Sequence, residues 1–545
     1  MTGRYPIRWH GHHSVATQIH RTWVPRDEEF LPELLSEIGY KTAAVGKWHL
    51  GHGEEQYIPT GRGFQEFVGS YSGAGDHYEH TISGTRFVDY HWDHAKNGKR
   101  EHLFHWNGTH STDVAEKETI RIIHQHNPDL PLFLYLPFQA PHTPTQVEDV
   151  WETFNQHVPG KKRRKFTGMI SHVDQAIGRI VNVLKEKKMW ASTLMITFSD
   201  NGGQAVQGAS NYPLRGTKDT PFEGGTRVPS FLSGGFLPSS IRGSTFPGLI
   251  HVTDVLPTLR AALPLSSKGL LPLMRLPNKQ LDGISFWSSM VSGEQMSRRV
   301  EMLYALDPYV RERGETMRPY VPERDYISPE KIIEDTGFAS RHGALRVGKW
   351  KLVEGLTGRD EWFGKDPSDA FEPREWQLGA GQQGNVVFDR PDSVRLSMTR
   401  QREYRTGEEM LLEKVVTLFL FDLEIDPTEE NNVATEYPEV VDDLRRRLRE
   451  YENQATIPWD GYTSKNGNVN LMEEEDGGGG GGCGGGSGEG GGGSEGGLAQ
   501  WYDFDSNSGD GVRRGVVDLW KNPVEGATPI KQRMRWRQRQ RRSKL

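Results

Sequence analysis

The sequence predicts an α/β fold: a mostly parallel sheet sandwiched by helices, followed by a smaller C-terminal domain of antiparallel sheet plus helix. Three observations carry that expectation. Segments of helical apolar spacing alternate with short β-rich runs through the first half of the chain. Each of those runs stops abruptly at a cluster of polar and charged residues, as a strand does where it leaves a sheet at its carboxyl edge. Beyond Pro257 that alternation ends, and residues 345–353 follow a two-residue period instead.

Taken in order, Phe30, Leu31, Leu34, Leu35 and Ile38 recur at helical spacing within residues 28–39, and Gly39 suits a C-cap. That helix leads into a strand at 41–45. Thr112 and Asp113 can cap a second helix through 123, which runs into a strand at 132–136. Residues 167–187 give the clearest amphipathic pattern, with Ile170, Val173, Ile177, Ile180, Val181 and Leu184 on one face, and lead into a strand at 193–198. The basic run 161–165 before it reads as a solvated loop. Residues 265–340, rich in Pro, Arg and Ser, close off the large domain in loops and short strands. Strands at 345–353 and 415–421 with a helix at 438–451 make the second domain, and Lys349 and Lys351 read as surface charges on the first of them. The expected divisions are 1–340, 341–460 and a disordered glycine-rich linker with basic tail at 461–545.

The chemistry gathers at three strand ends. The first strand delivers Gly46-Lys47-Trp48-His49, the second Gln139-Ala140-Pro141-His142, and the third Asp200-Asn201-Gly202-Gly203, with Lys218 following. Adjacent Asp and Asn offer the oxygen ligands that hard cations such as Ca²⁺ or Mg²⁺ take. Asp-Asn-Gly-Gly is also a turn sequence, a lone His is usually packed, and a lone Lys is usually solvated. Together, however, two lysines, two imidazoles and an oxygen pair describe a pocket for a tetrahedral anion, in which cations neutralise charge and His moves protons. His172 and Asp174 fall on the amphipathic helix and read as structural. His12, His13, Asp76 and His77 are candidates for the mouth of the pocket.

With these segments goes a run of others: Leu34 to Gly51, Arg62-Gly63-Phe64, Ser111-Thr112-Asp113, Ala140-Pro141-His142-Thr143-Pro144, Gly168 to Asp174, Asp200 to Arg227, Thr253-Asp254, Leu281-Asp282-Gly283, Arg346 to Leu352 and Leu423 to Pro427. In number and order they resemble the sulfatases, arylsulfatase B type, of the alkaline phosphatase superfamily, over residues 1–459. The resemblance implies an alkaline phosphatase-like fold and a sulfuric ester hydrolase acting on aryl sulfates or sulfated carbohydrates. It also implies Ca²⁺ held by Asp200 and Asn201, and a sulfate group surrounded by Lys47, His49, His142 and Lys218. His49 would help collapse a sulfated intermediate, while His142 and Lys218 would hold sulfate and assist the leaving alcohol. A secretory, lysosomal or extracellular setting is implied as well.

One departure stands against the matches. The family carries Cys-x-Pro-Ser-Arg or Ser-x-Pro-Ser-Arg, whose first residue becomes formylglycine, shortly before a Thr-Gly-Arg-Tyr segment, and an Asp-Asp pair farther upstream. This chain opens on Met1-Thr2-Gly3-Arg4-Tyr5, and its sole cysteine, Cys483, stands in a glycine tract. The expectation is therefore that formylglycine belongs to a segment ahead of Met1, made there by a formylglycine-generating enzyme, and that the chain as written has little or no activity. The alternatives are a non-catalytic protein that binds sulfated glycans and a phosphate or phosphonate monoester hydrolase on the same scaffold.

Composition narrows the classes. A net charge of −7 implies no general affinity for nucleic acid, and no apolar run reaches the length of a spanning helix. One cysteine allows no internal disulfide. Asn107-Gly108-Thr109 is a glycosylation sequon in a surface setting, and the basic stretch 531–544 is a disordered tail or a contact for an anionic polymer.

Overall fold

The computed structural model describes residues 1–12, 23–82, 87–95, 98–263, 274–294, 296–307, 309–310, 318–319, 342–355 and 417–456. The expected tail, with Cys483 and the basic stretch, lies outside the described residues, as does His13. Among the described residues no helix is long and apolar enough to cross a membrane.

Helix α1 (Leu31–Glu37) begins where the Glu33 side chain reaches back to the Phe30 N–H at 2.6 Å, and it ends at Gly39, whose φ of 91° is cheap only for glycine. It leads into β1 (Lys41–Lys47). The central sheet also contains β2 (Glu66–Ser70), β3 (His91–His94), β4 (Lys99–His102) and β5 (Leu132–Tyr135), in the order β4-β3-β2-β1-β5. β1 runs parallel to both of its neighbours, and β3 and β4 add an antiparallel ribbon at one edge.

Alternate residues of the sheet are buried on opposite faces. Ala44 and Phe67 meet Phe30, Trp48 and Phe64, while Ala43, Val45 and Val68 meet Val114, Ala115 and Ile122 of helix α2 (Ser111–Gln125). Each large side chain fully buried in this way contributes about 1.5–3 kcal/mol. A slip of one residue would turn both faces inside out, so this packing fixes the register that brings Lys47 opposite Ser70. The cap of α2 is His110, whose ring Nδ1 accepts the Thr112 N–H at 3.1 Å, in place of the expected Thr112 and Asp113.

After a short α3 (Asp149–Phe154) comes α4 (Lys161–Glu186), which packs on α2 through Ile123, Ile180 and Val183. Residues 161–165 are its first turns rather than a loop. Charged residues with long aliphatic stems are good helix formers, and Arg163 and Arg164 bond carbonyls at that end. The third chemistry-bearing strand, β6 (Met195–Phe198), is not hydrogen-bonded into the central sheet. It pairs antiparallel with β7 (Ser230–Ser233), the chain returning to it directly after Arg227. Between them lies a one-turn helix, α5 (Glu223–Thr226). Helices α6 (Val255–Ala262) and α7 (Trp287–Ser292) follow.

The second sheet contains β8 (Glu301–Asp307), β11 (His342–Val347), β12 (Trp350–Gly355) and β13 (Thr417–Asp422), all antiparallel; β9 (Tyr309–Val310) and β10 (Arg318–Pro319) form a separate short ladder. Its first strand lies before residue 340. The single strand expected at 345–353 is a hairpin: Val347 pairs with Trp350, and Gly348 turns the chain at φ 57°. Alternation alone does not reveal a two-residue turn that keeps the period. One face of the sheet packs Leu352 and Leu420 on Val441 and Leu444 of α8 (Pro438–Glu452), and the other packs Val353, Phe419 and Phe421 on Phe222. Neither face is wet. Lys351, expected at the surface, is therefore fully buried, whereas Lys349 is exposed in the turn and bonds Asp422 at 2.6 Å.

Candidate active site

Lys47 leaves the carboxyl end of β1 half-buried, its backbone N–H bonded to Pro137 O at 2.9 Å, just past β5. Gly46, at φ 124°, permits that approach, because a Cβ there would overlap the Pro137 carbonyl. Burial pushes the Lys47 ammonium below its usual range; Asp200 opposes that shift and Lys218 adds to it. The same three groups act on His142. Burial lowers its pKa first, the Thr143 carbonyl counters, and Lys47 and Lys218 lower it further against Asp200. Lys47, His142, Asp200 and Lys218 therefore share one neighbourhood, although their strands belong to two sheets.

Within that neighbourhood Lys218 Nζ lies 3.4 Å from His142 Nε2. His142 Nδ1 lies 2.8 Å from Thr143 O, which accepts and can only be served by an Nδ1–H. A neutral imidazole with its Nε2 lone pair toward the lysine satisfies both contacts. His49 sits two residues beyond Lys47, anchored by its N–H to Tyr71 O at 3.0 Å, at φ 56°. Its ring lies against Gly73, where any Cβ would occupy the ring's place.

Asp200 follows β6 and is exposed; Asn201 next to it is half-buried, its Nδ2 donating to Gly202 O at 2.9 Å. That bond leaves the Asn201 carboxamide oxygen and the Asp200 carboxylate as donors, which suit a hard cation such as Ca²⁺. Two donors are short of the six to eight oxygens Ca²⁺ takes. Among the described residues no group of three or more His, Cys, Asp or Glu could complete the shell.

His77 does not line the mouth. It is fully buried, with Nδ1 2.7 Å from Ser111 Oγ and Nε2 3.0 Å from the carbonyl of His142, and burial pushes its pKa down to about 4. Its N–H donates to Gln146 Oε1 at 2.8 Å, and Gln146 in turn donates to Asp76 at 2.6 Å. His110 stacks on His77 and reaches Gln146 O at 3.1 Å, so both rings brace the 142–146 loop from beneath. His172 stacks on Trp151 and bonds Asp113 at 2.8 Å, and Asp174 is exposed, in keeping with a structural helix. The bracing role of His77 had no signal in the sequence, because it depends on a contact between residues 65 positions apart.

Comparison with known proteins adds to this geometry. A sequence profile of the sulfatase family matches residues 1–264. Mouse arylsulfatase J is 31% identical over 460 residues, covering 84% of this chain and 67% of that protein. The chain belongs to the sulfatase family. Mouse N-acetylgalactosamine-6-sulfatase is 27% identical over 316 residues, covering 55% of this chain and 57% of that relative, so the chain spans little more than half the length of such family members. Among solved structures, Ps i-CgsB in complex with k-i-k-neocarrahexaose superposes with a TM-score of 0.60 at 24% identity, covering 85% of this chain and 83% of that one. That likeness extends the shared fold across both sheets of this sulfatase-family chain.

Proposed function

We propose that the residues gathered at these strand ends bind and cleave sulfate esters of carbohydrates or phenols. The observation that carries the reading is the Lys218–His142 contact at 3.4 Å, beside a half-buried Lys47 whose ammonium is destabilised by burial. Neither lysine forms a salt bridge among the described residues, so the pocket holds more positive charge than its own carboxylate balances. An oxyanion ester supplies the missing negative charge.

In this reading Lys47 and Lys218 hold the non-bridging oxygens. Asp200 and Asn201 would hold Ca²⁺, or Mg²⁺, which when bound contributes further neutralisation of sulfate charge. As an attacking oxygen, from water or from a nucleophile of the protein, forms its bond to sulfur and the bond to the alcohol breaks, Lys218, facing the neutral Nε2 of His142, would hand a proton to the departing ester oxygen, and His142 would keep that ammonium aimed. His49, two residues beyond Lys47 with its ring against Gly73, would be a second proton-handling group. No Cys-x-Pro-Ser-Arg or Ser-x-Pro-Ser-Arg segment occurs in the sequence, and Cys483 lies outside the described residues. The carbohydrate class is suggested by relatives such as N-acetylgalactosamine-6-sulfatase.

The test compares 4-nitrophenyl sulfate, N-acetylgalactosamine 6-sulfate and 4-nitrophenyl phosphate, in a protein that carries Cys-x-Pro-Ser-Arg ahead of Thr2. Sulfate release that falls at least a hundredfold in Lys218→Ala supports the reading. Preference for the phosphate ester would replace it with a phosphomonoesterase, and binding of sulfated sugar without turnover would replace it with a glycan-binding protein.

A further inference from the structure

The segment that carries Lys218 and the segment that carries Asp200 and Asn201 do not touch the central sheet through regular strand pairing. Both instead touch α5. Gly202 N–H donates to Gly225 O at 2.8 Å, and Gly224 N–H donates to Arg215 O at 2.6 Å, three residues before Lys218. The contacts are backbone against backbone. A Cβ on Gly202 would overlap Gly224 O, one on Gly224 would meet the carbonyls of Arg215 and Gly216, and one on Gly225 would meet those of Thr217 and Thr220. α5 is thus a side-chain-free wedge packed against both segments, which also bond each other directly where the Lys218 N–H and the Thr217 hydroxyl donate to Gly203 O at 3.3 and 2.8 Å.

The wedge has no length of its own to hold it, since a helix of one turn is unstable in isolation. It is held from the second sheet. Glu223, the first residue of α5, accepts from Lys351 Nζ at 3.0 Å and from the Tyr304 hydroxyl at 2.9 Å. Lys351 also pairs with Glu429 Oε1 at 2.8 Å, an ionic approach without hydrogen-bond alignment, and Glu429 Oε2 accepts the Glu223 backbone N–H at 2.7 Å. Arg215 donates to Glu429 O at 3.1 Å and lies over the Phe222 and Phe419 rings. Glu223, Lys351 and Glu429 are 2%, 0% and 0% exposed, so no water shares these bonds. A buried ion cluster is weak evidence for stability but strong evidence for geometry, because each partner tolerates few other positions.

We propose that Lys351, Glu223 and Glu429 are positioning residues, through which the C-terminal sheet, by way of α5, holds in place the joined segments that carry Lys218 and the Asp200–Asn201 pair. The proposal rests on the sulfate-ester reading for its purpose and on the hydrogen bonds above for its geometry. It ties the small domain to the active site through Lys351 and Glu429, which reach it by way of α5.

Amide hydrogen exchange and titration with inorganic sulfate, both on the full chain, test it. Lys351→Met should speed exchange at Gly202 and Gly224 at least tenfold and weaken sulfate binding at least fivefold. At labelling times too short for global unfolding, exchange at Ala43 to Val45 in β1 should stay unchanged, and Lys351→Arg should recover most of both effects. Exchange that rises equally in β1, with sulfate affinity intact, would overturn the proposal by reducing Lys351 to a stabilising residue. If Lys351→Met does not fold, Tyr304→Phe removes a single bond to Glu223 and should give the same local pattern at smaller size; no response at Gly202 and Gly224 overturns the proposal. A wild-type chain that binds no sulfate but shows the exchange pattern supports the positioning and contradicts the sulfate reading instead.

Discussion

Lys47 and Lys351 are both taken out of water, yet their neighbours differ. Around Lys47 the nearest charges are one carboxylate, Asp200, and a second ammonium, Lys218, and burial prevails, so its pKa falls. Burial works against Lys351 too, but Glu429 and Glu223 overcome it and its pKa rises. The first lysine belongs to a cluster short of negative charge, the second to a cluster that is closed on itself. That difference is the one expected between a binding site and a support: a desolvated cluster with more cations than carboxylates favours an anion from outside.

The largest test of this contrast is stability. Lys351→Met leaves Glu223 and Glu429 buried without a cation and should cost about 3–5 kcal/mol in urea denaturation. Lys47→Met removes a cation that folding already disfavours and should change stability by less than about 1 kcal/mol while abolishing sulfate binding. Equal losses in the two variants would dissolve the distinction.

The second test concerns the buried imidazoles that brace the site. His77 is pushed down to about 4 and His110 to about 3, in each case chiefly by burial. Between those values and the unfolded value of about 6.5 the unfolded chain binds more protons, so stability rises with pH across that window and is lost as pH falls through it. Each group titrating there contributes up to about 1.4 kcal/mol per pH unit. Urea midpoints at pH 4.5, 5.5, 6.5 and 7.5 should climb and then level off; a flat profile would mean the rings are not held neutral.

Two smaller changes sharpen the contrast at single bonds. Tyr304→Phe, on the support side, should cost about 1.5–2 kcal/mol, the worth of a hydrogen bond to a charged acceptor, as read in the urea midpoint. Gly73→Ala, on the site side, should cost under about 1 kcal/mol yet displace the His49 ring, because ring and methyl compete for one space. The His49 ring resonances report that displacement, and an unchanged spectrum would detach His49 from Gly73.

Much of the site was legible because it is local. Lys47, His49 and His142 follow strands whose apolar runs are continuous in the sequence, and the packing of Ala43 to Val45 on two faces makes such runs unmistakable. What was not legible depends on partners distant in the chain. Nothing near Met195 to Phe198 says that β6 will pair with Ser230 to Ser233 rather than join the central sheet. Lys351 alternates like a surface residue, and partners far away in the chain, among them Glu223 at 128 positions, bury it. The hairpin at Gly348 hides inside an unbroken alternation, and Lys161 to Lys165 look like a loop because helix formation there is decided by stems and carbonyl contacts rather than by an apolar face.

The central claim is that lysines and imidazoles from separate strand ends form one anion pocket, and titration of the full chain with inorganic sulfate at low ionic strength, followed by calorimetry, tests it most directly. Saturable binding of one sulfate per chain, lost in both Lys47→Met and Lys218→Ala while the urea midpoint holds, is the predicted result. Absence of saturable binding, or binding that survives both substitutions, would contradict it.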